Sequence, residues 1–108
     1  MTHRDATYQP TAPDHAAVLA MRGLVLLDFG TDWCGHCLAA RPAVDAWSHA
    51  HEGVDHLRIE DGRGRPLGRA YRVKLWPTLI LLRDGQEIAR SVRPSEARDL
   101  WPLEDAVS

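Results

Sequence analysis

The sequence predicts an α/β domain in which a central mixed sheet of about four or five strands is flanked by helices on both faces. Three observations carry this. The run LVLLDFG at residues 24–30 is continuously apolar and bounded by glycines, as a strand buried on both faces would be. A segment of helical period follows it, and then the alternating stretch VDHLRIED, so strand, helix and strand make the right-handed crossover of a parallel pair. Finally, TLILLR and QEIARSV flank Asp84-Gly85, a dipeptide suited to a tight hairpin, which adds antiparallel pairing.

The elements follow in order. Residues 1–13 are polar, with Pro10 and Pro13, and read as a loosely held arm or a short edge strand. Asp14 is placed to cap a short helix over HAAVLAM, which Gly23 would end. After the first strand, Ala40, Val44, Trp47 and His51 recur at helical spacing from Cys34 onward, and the helix should stop near Gly53. Pro42 inside it predicts a kink. VDHLRIED carries Leu57 and Ile59 on one face, and a Gly- and Arg-rich turn at 62–65 leads to a weak helix over PLGRAYRV. After the hairpin, a last helix begins at Pro94 with Ser95 as cap and runs until Pro102 interrupts it. Trp47 and Trp101 read as packing residues.

The chain has 108 residues, enough for one domain whose recognisable core covers about residues 14–101. It contains no internal repeat and no low-complexity segment. No stretch approaches the roughly 18 apolar residues of a membrane span, and the first residues lack the apolar core of a secretory signal, so a cytoplasmic location is expected. A net charge of -2 gives no case for nucleic acid or membrane as partner. Charge is uneven, however: Arg58, Arg63, Arg65, Arg69, Arg72 and Lys74 lie close together, either as a solvated face or as a docking surface for an acidic partner.

The only two cysteines, Cys34 and Cys37, sit where the first buried strand hands over to the long helix. Unpaired backbone N–H groups and the helix dipole favour an anion there, so Cys34 is placed to attack as a thiolate. Cys37, one turn further in, is placed to resolve. His36 between them adds an imidazole that would stabilise the Cys34 thiolate and make the disulfide more oxidising.

DFGTDWCGHC resembles the active-site segment of the thioredoxin superfamily, and Trp76-Pro77-Thr78 resembles its cis-proline loop. Asp28, Pro42 and Asp84-Gly85 keep the family's spacing, and the likeness covers residues 24 to about 92. The resemblance implies a thioredoxin fold and a protein disulfide oxidoreductase serving cell redox homeostasis. Cys34 would attack and Cys37 resolve. Asp28 would take part in proton transfer, its pKa raised on an apolar strand. Pro77 would pack on the cysteine pair and, with Trp33, Gly35, Trp76, Thr78 and Arg93, bind extended substrate. No cofactor beyond the Cys34–Cys37 disulfide is implied, and a thioredoxin reductase or another thiol system would supply electrons to a monomer.

The departures are as telling. Gly35-His36 is similar to protein disulfide isomerase domains rather than to thioredoxin, whose potential is lower by about 90 mV, roughly 4 kcal/mol. Gly30 stands where thioredoxins usually carry an aromatic residue. Trp76 and Arg93 replace smaller residues and imply a narrower, more basic groove and a restricted set of partners. Two other readings compete. Cys34, Cys37, His51 and His56 fit the spacing C-x2-C-x13-H-x4-H of a zinc finger, though the remaining histidines, His3, His15 and His49, and these two also read as surface side chains. A redox-inactive binding module or chaperone-like adaptor is the other.

Overall fold

An apolar run with no polar side to turn outward belongs inside a sheet, and Leu24–Gly30 (β1) lies there in the computed structural model, which describes residues 7–108. His3 and the start of the arm lie outside the described residues. Asp55–Glu60 (β2) pairs with β1 in parallel on one side, and Thr78–Arg83 (β3) pairs antiparallel on the other. Gln86–Val92 (β4) closes the far edge against β3, giving a four-stranded sheet in the order β2-β1-β3-β4.

Alternation along β1 divides the protein into two cores. Val25, Leu27 and Phe29 face one way, where Ile59, Ile80 and Leu82 join them under Val18, Leu67 and Tyr71. Those last three come from the short helix His15–Leu19 (α1) and from Pro66–Ala70 (α3) with its following residue. Leu26 faces the other way, with Leu79 and Leu81, and packs under Ala40, Val44 and Trp47 of the long helix Gly35–Ala50 (α2). Asp28 and Gly30 are on this second face, because side chains alternate. The sheet therefore presents both to α2, whose first turn holds the cysteines.

Local chemistry explains most of the boundaries. Asp14 caps α1 as expected, its Oδ1 accepting from the Ala17 N–H at 2.8 Å. That helix ends at Leu19, earlier than the sequence suggests, and Gly23 at φ 78° turns the chain into β1 instead of terminating the helix. Pro42 does not interrupt α2. The arm makes one parallel bridge, Gln9 with Ile59, at the β2 edge.

The C-terminal segment differs most. A 3-10 turn over Ala97–Leu100 is capped by Glu96 rather than Ser95, and Trp101–Val107 (α4) then continues through Pro102. Pro102 lies in the first turn of α4, where a missing N–H costs no hydrogen bond, so it opens a helix instead of breaking one. Leu103 beyond it is fully buried, while Trp101 is 64% exposed and does not pack as expected.

The hairpin is a constraint on stability. Asp84 and Gly85 both have positive φ, 50° and 82°, as a two-residue turn of primed type demands. Asp84 also ties the turn to α1's exit, accepting from the Gly23 N–H at 2.8 Å. A methyl group on Gly85 would lie 2.1 Å from the Leu19 carbonyl oxygen, which belongs to the backbone and cannot swing aside. Gly85→Ala is expected to cost about 2 kcal/mol or more in urea denaturation, with m unchanged.

Candidate active site

Cys34 is the N-cap of α2, at φ -80° and ψ 122°, and its sulfur accepts from the Cys37 N–H at 3.4 Å. Burial alone would raise the Cys34 thiol. The Cys37 thiol, the backbone N–H groups of Cys37 and His36 and the charge of Arg93 outweigh it and leave Cys34 below its ordinary value. Cys37 goes the other way: burial and the neighbouring Cys34 push it up to about 12, against the smaller lowering effects of the Thr31 backbone and the nearby Tyr8 hydroxyl. One helix terminus thus holds two unlike thiols.

The His36 side chain is exposed, and it is the backbone N–H of His36 that supports the Cys34 sulfur. Gly35 is also exposed, with open space where a side chain would stand.

The groove around Cys34 is built by two tryptophans and an arginine. Trp33 is 77% exposed, and its ring meets that of Trp76 edge to face at 5.7 Å. Trp76 packs on the cysteines, and its indole N–H donates to Asp61 Oδ2 at 2.8 Å. The Trp76–Pro77 peptide bond is cis, and Thr78, buried behind it, donates its hydroxyl to the Leu75 carbonyl at 2.6 Å. Arg93, just after β4, has φ 51°, the left-handed region that glycine favours. Its backbone N–H donates to the Pro77 carbonyl at 2.8 Å and its Nε to the Trp76 carbonyl at 2.9 Å. The strained arginine therefore braces the Trp76-Pro77 loop from the side facing Cys34.

Asp28 is not the isolated acid on an apolar strand that the sequence suggests. It is 2% exposed, and both oxygens are occupied. Oδ1 accepts from the Tyr8 hydroxyl at 2.7 Å. Oδ2 meets His56 Nε2 at 2.9 Å and accepts from Arg58 Nε at 3.3 Å. Parallel register sets this up, since Leu26 stands opposite His56 and Asp28 opposite Arg58. Arg58 also binds Asp45 of α2. Burial works against its charge, but Asp28 and Asp45 together hold its proton more firmly than usual.

Two sequence readings are thereby corrected. His56 is fully buried rather than at the surface, and Arg58 leaves the solvated arginine cluster for the core. His51 pairs with Glu104 at 2.7 Å and stacks on Trp47, so the four zinc-finger candidates are not brought together. Among the described residues, no group of three or more His, Cys, Asp or Glu side chains converges as a metal site would need.

Tyr8 is the residue that sequence reading missed. It lies 4% exposed in the arm, held by its backbone N–H on Asp32 Oδ1 at 3.0 Å. A methyl group on Gly30 would sit 2.6 Å from Cys37 Sγ and 2.8 Å from Tyr8 Oη. Gly30 thus leaves the space that Tyr8 fills, and the departure from an aromatic at residue 30 is answered by an aromatic from the arm.

The model of the thioredoxin family matches residues 7–103. The chain is 42% identical over 71 residues to thioredoxin of Chlamydia trachomatis, covering 65% of this chain and 69% of that one. It is 30% identical over 77 residues to thioredoxin-2 of Pyricularia oryzae, covering 71% of this chain but only 45% of the longer fungal protein. Among solved structures, reduced thioredoxin 2 of Pseudomonas aeruginosa superposes with a TM-score of 0.86 at 46% identity, over 95% of this chain and 96% of that one.

The unlike thiols give a direct expectation. At neutral pH, iodoacetamide should modify Cys34 and spare Cys37, as peptide mass mapping of the reduced protein would show. Arg93→Met removes a charge that favours the thiolate, so the pH midpoint of Cys34 alkylation should move upward.

Proposed function

The chain belongs to the thioredoxin family and is a thiol-disulfide oxidoreductase acting through its Cys34-x-x-Cys37 pair, and within that activity we propose that Cys34 attacks and Cys37 resolves. The carrying observation is the opposed direction of the two thiols' shifts at one helix terminus. The Cys34 thiolate forms a mixed disulfide with one sulfur of the substrate and the other leaves as thiolate. Cys37, deprotonated in its turn, attacks Cys34 Sγ, closes the Cys34–Cys37 disulfide and releases the second substrate sulfur. Two electrons pass to the substrate and none need a prosthetic group.

Trp33, Trp76 and Pro77 form the apolar wall for an extended protein segment, with Gly35 open beside it and Thr78 holding the loop from behind. Arg93 supplies positive charge at the thiolate. Arg63, Arg69 and Lys74 line a shallow groove that also includes Trp76, so the surface beside the site suits a partner with acidic side chains. The protein works as a monomer in the cytoplasm, where a lone cysteine pair serves catalysis more often than stapling. A thioredoxin reductase or another thiol system renews the dithiol.

Cys34→Ser should bring dithiothreitol-coupled reduction of insulin to background, whereas Cys37→Ser should accumulate mixed disulfide. Full activity of Cys34→Ser would instead support the redox-inactive adaptor. In a glutathione titration the pair should sit above thioredoxin's potential of about -270 mV, and His36→Pro should lower it; a wild-type value near -270 mV overturns the expectation.

A further inference from the structure

Resolution requires a proton to leave Cys37, which is buried and faces away from solvent. No direct hydrogen bond joins Cys37 to Asp28 among the described residues. Tyr8 stands between them. Its hydroxyl donates to Asp28 Oδ1 at 2.7 Å and lies beside the Cys37 sulfur, since a methyl group on Gly30 would be 2.6 Å from Cys37 Sγ and 2.8 Å from Tyr8 Oη, and the two side chains share one buried cluster. Tyr8, Asp28, Cys37 and Pro77 line the same narrow seam. The other carboxylate oxygen is already taken by His56 and Arg58, so Oδ1 is the end of Asp28 that faces the thiol side.

We infer that Tyr8 is a catalytic proton relay between Cys37 and Asp28. The inference rests on the exchange reading above. The S–H proton of Cys37 passes to Tyr8 Oη as the phenolic proton passes to Asp28 Oδ1. Tyr8 is unchanged, Asp28 becomes a carboxylic acid, and Cys37 becomes the thiolate that attacks Cys34 Sγ. When the disulfide is reduced again, the same path runs backward and returns the proton to Cys37. His56 and Arg58 from β2 hold Asp28 in register. Arg41 and Asp45 from α2 and Cys34 are the other ionisable groups facing the relay.

A symmetric nitrophenyl disulfide separates the steps, because one coloured thiolate leaves when Cys34 attacks and a second leaves when Cys37 resolves. Tyr8→Phe keeps the ring and removes the hydroxyl. The first release should stay within about twofold, and the second should slow by about a hundredfold near pH 7. The deficit should shrink as pH rises, since hydroxide then takes the Cys37 proton without help. Equal slowing of both releases, or a second release at the wild-type rate across pH, overturns the relay. Loss of the first release in the wild-type protein would instead defeat the exchange reading itself. If Tyr8→Phe fails to fold, 3,5-difluorotyrosine at position 8 retains ring and hydroxyl with a more acidic phenol. The second release should then change in rate while the first does not, and an unchanged second release overturns the relay.

Discussion

Asp28 stands on the central strand between Leu26 and Gly30, on the face that α2 covers, and burying an ionised carboxylate there without partners would cost several kcal/mol. Its neighbours are arranged around that requirement. β2 brings His56 and Arg58 at its own register, α2 brings Asp45 to balance Arg58, and the arm brings the Tyr8 hydroxyl. His56 donates to Asp28 through Nε2, and its Nδ1 has no partner among the described residues. Arg58, whose guanidinium stays protonated, brings positive charge to the carboxylate. Asp28 is the common partner: removing it would take a buried hydrogen-bond partner from Tyr8, His56 and Arg58 at once.

The fold was legible because its signals are local and periodic. A strand apolar on both faces, a hairpin dipeptide and a capping aspartate each act over a few residues, and each is where the sequence puts it. The cysteines were legible for the same reason, since the strand-to-helix handover fixes Cys34 as the cap of α2. What escaped was the second face of β2. Alternation puts Leu57 and Ile59 on one side and reads His56 and Arg58, opposite, as the wet side. In a sheet covered on both faces that side is also interior. Polar residues there are partners of something buried, and Asp28 in the adjacent strand was the signal. Tyr8 left no such trace. Its partners lie 20 or more residues away along the chain, and a polar arm gives no period to read. Pro102 reads as a helix end in sequence and starts one in the fold, because the same residue ends a helix from inside and begins one from its first turn.

Stability alone does not account for the buried cluster. Replacing a buried ion pair by apolar groups of similar volume is often neutral or stabilising, so such a pair is weak evidence of a contribution to folding. Its geometry points elsewhere. His56 and Arg58 fill one carboxylate oxygen and leave the other to the Tyr8 hydroxyl, which lies beside the Cys37 sulfur. The same burial that raises Cys37 also removes it from water, the ordinary acceptor of its proton. On the exchange proposed above, keeping Cys37 protonated until a mixed disulfide forms would create the need for an internal acceptor, and the relay we infer would supply one within the reach of a single side chain. Cys34 needs no such provision, because backbone N–H groups and Arg93 already favour its thiolate. The opposite shifts of the thiols follow from where each lies relative to the end of α2, and in the inferred relay the buried network would serve the one that the helix terminus does not.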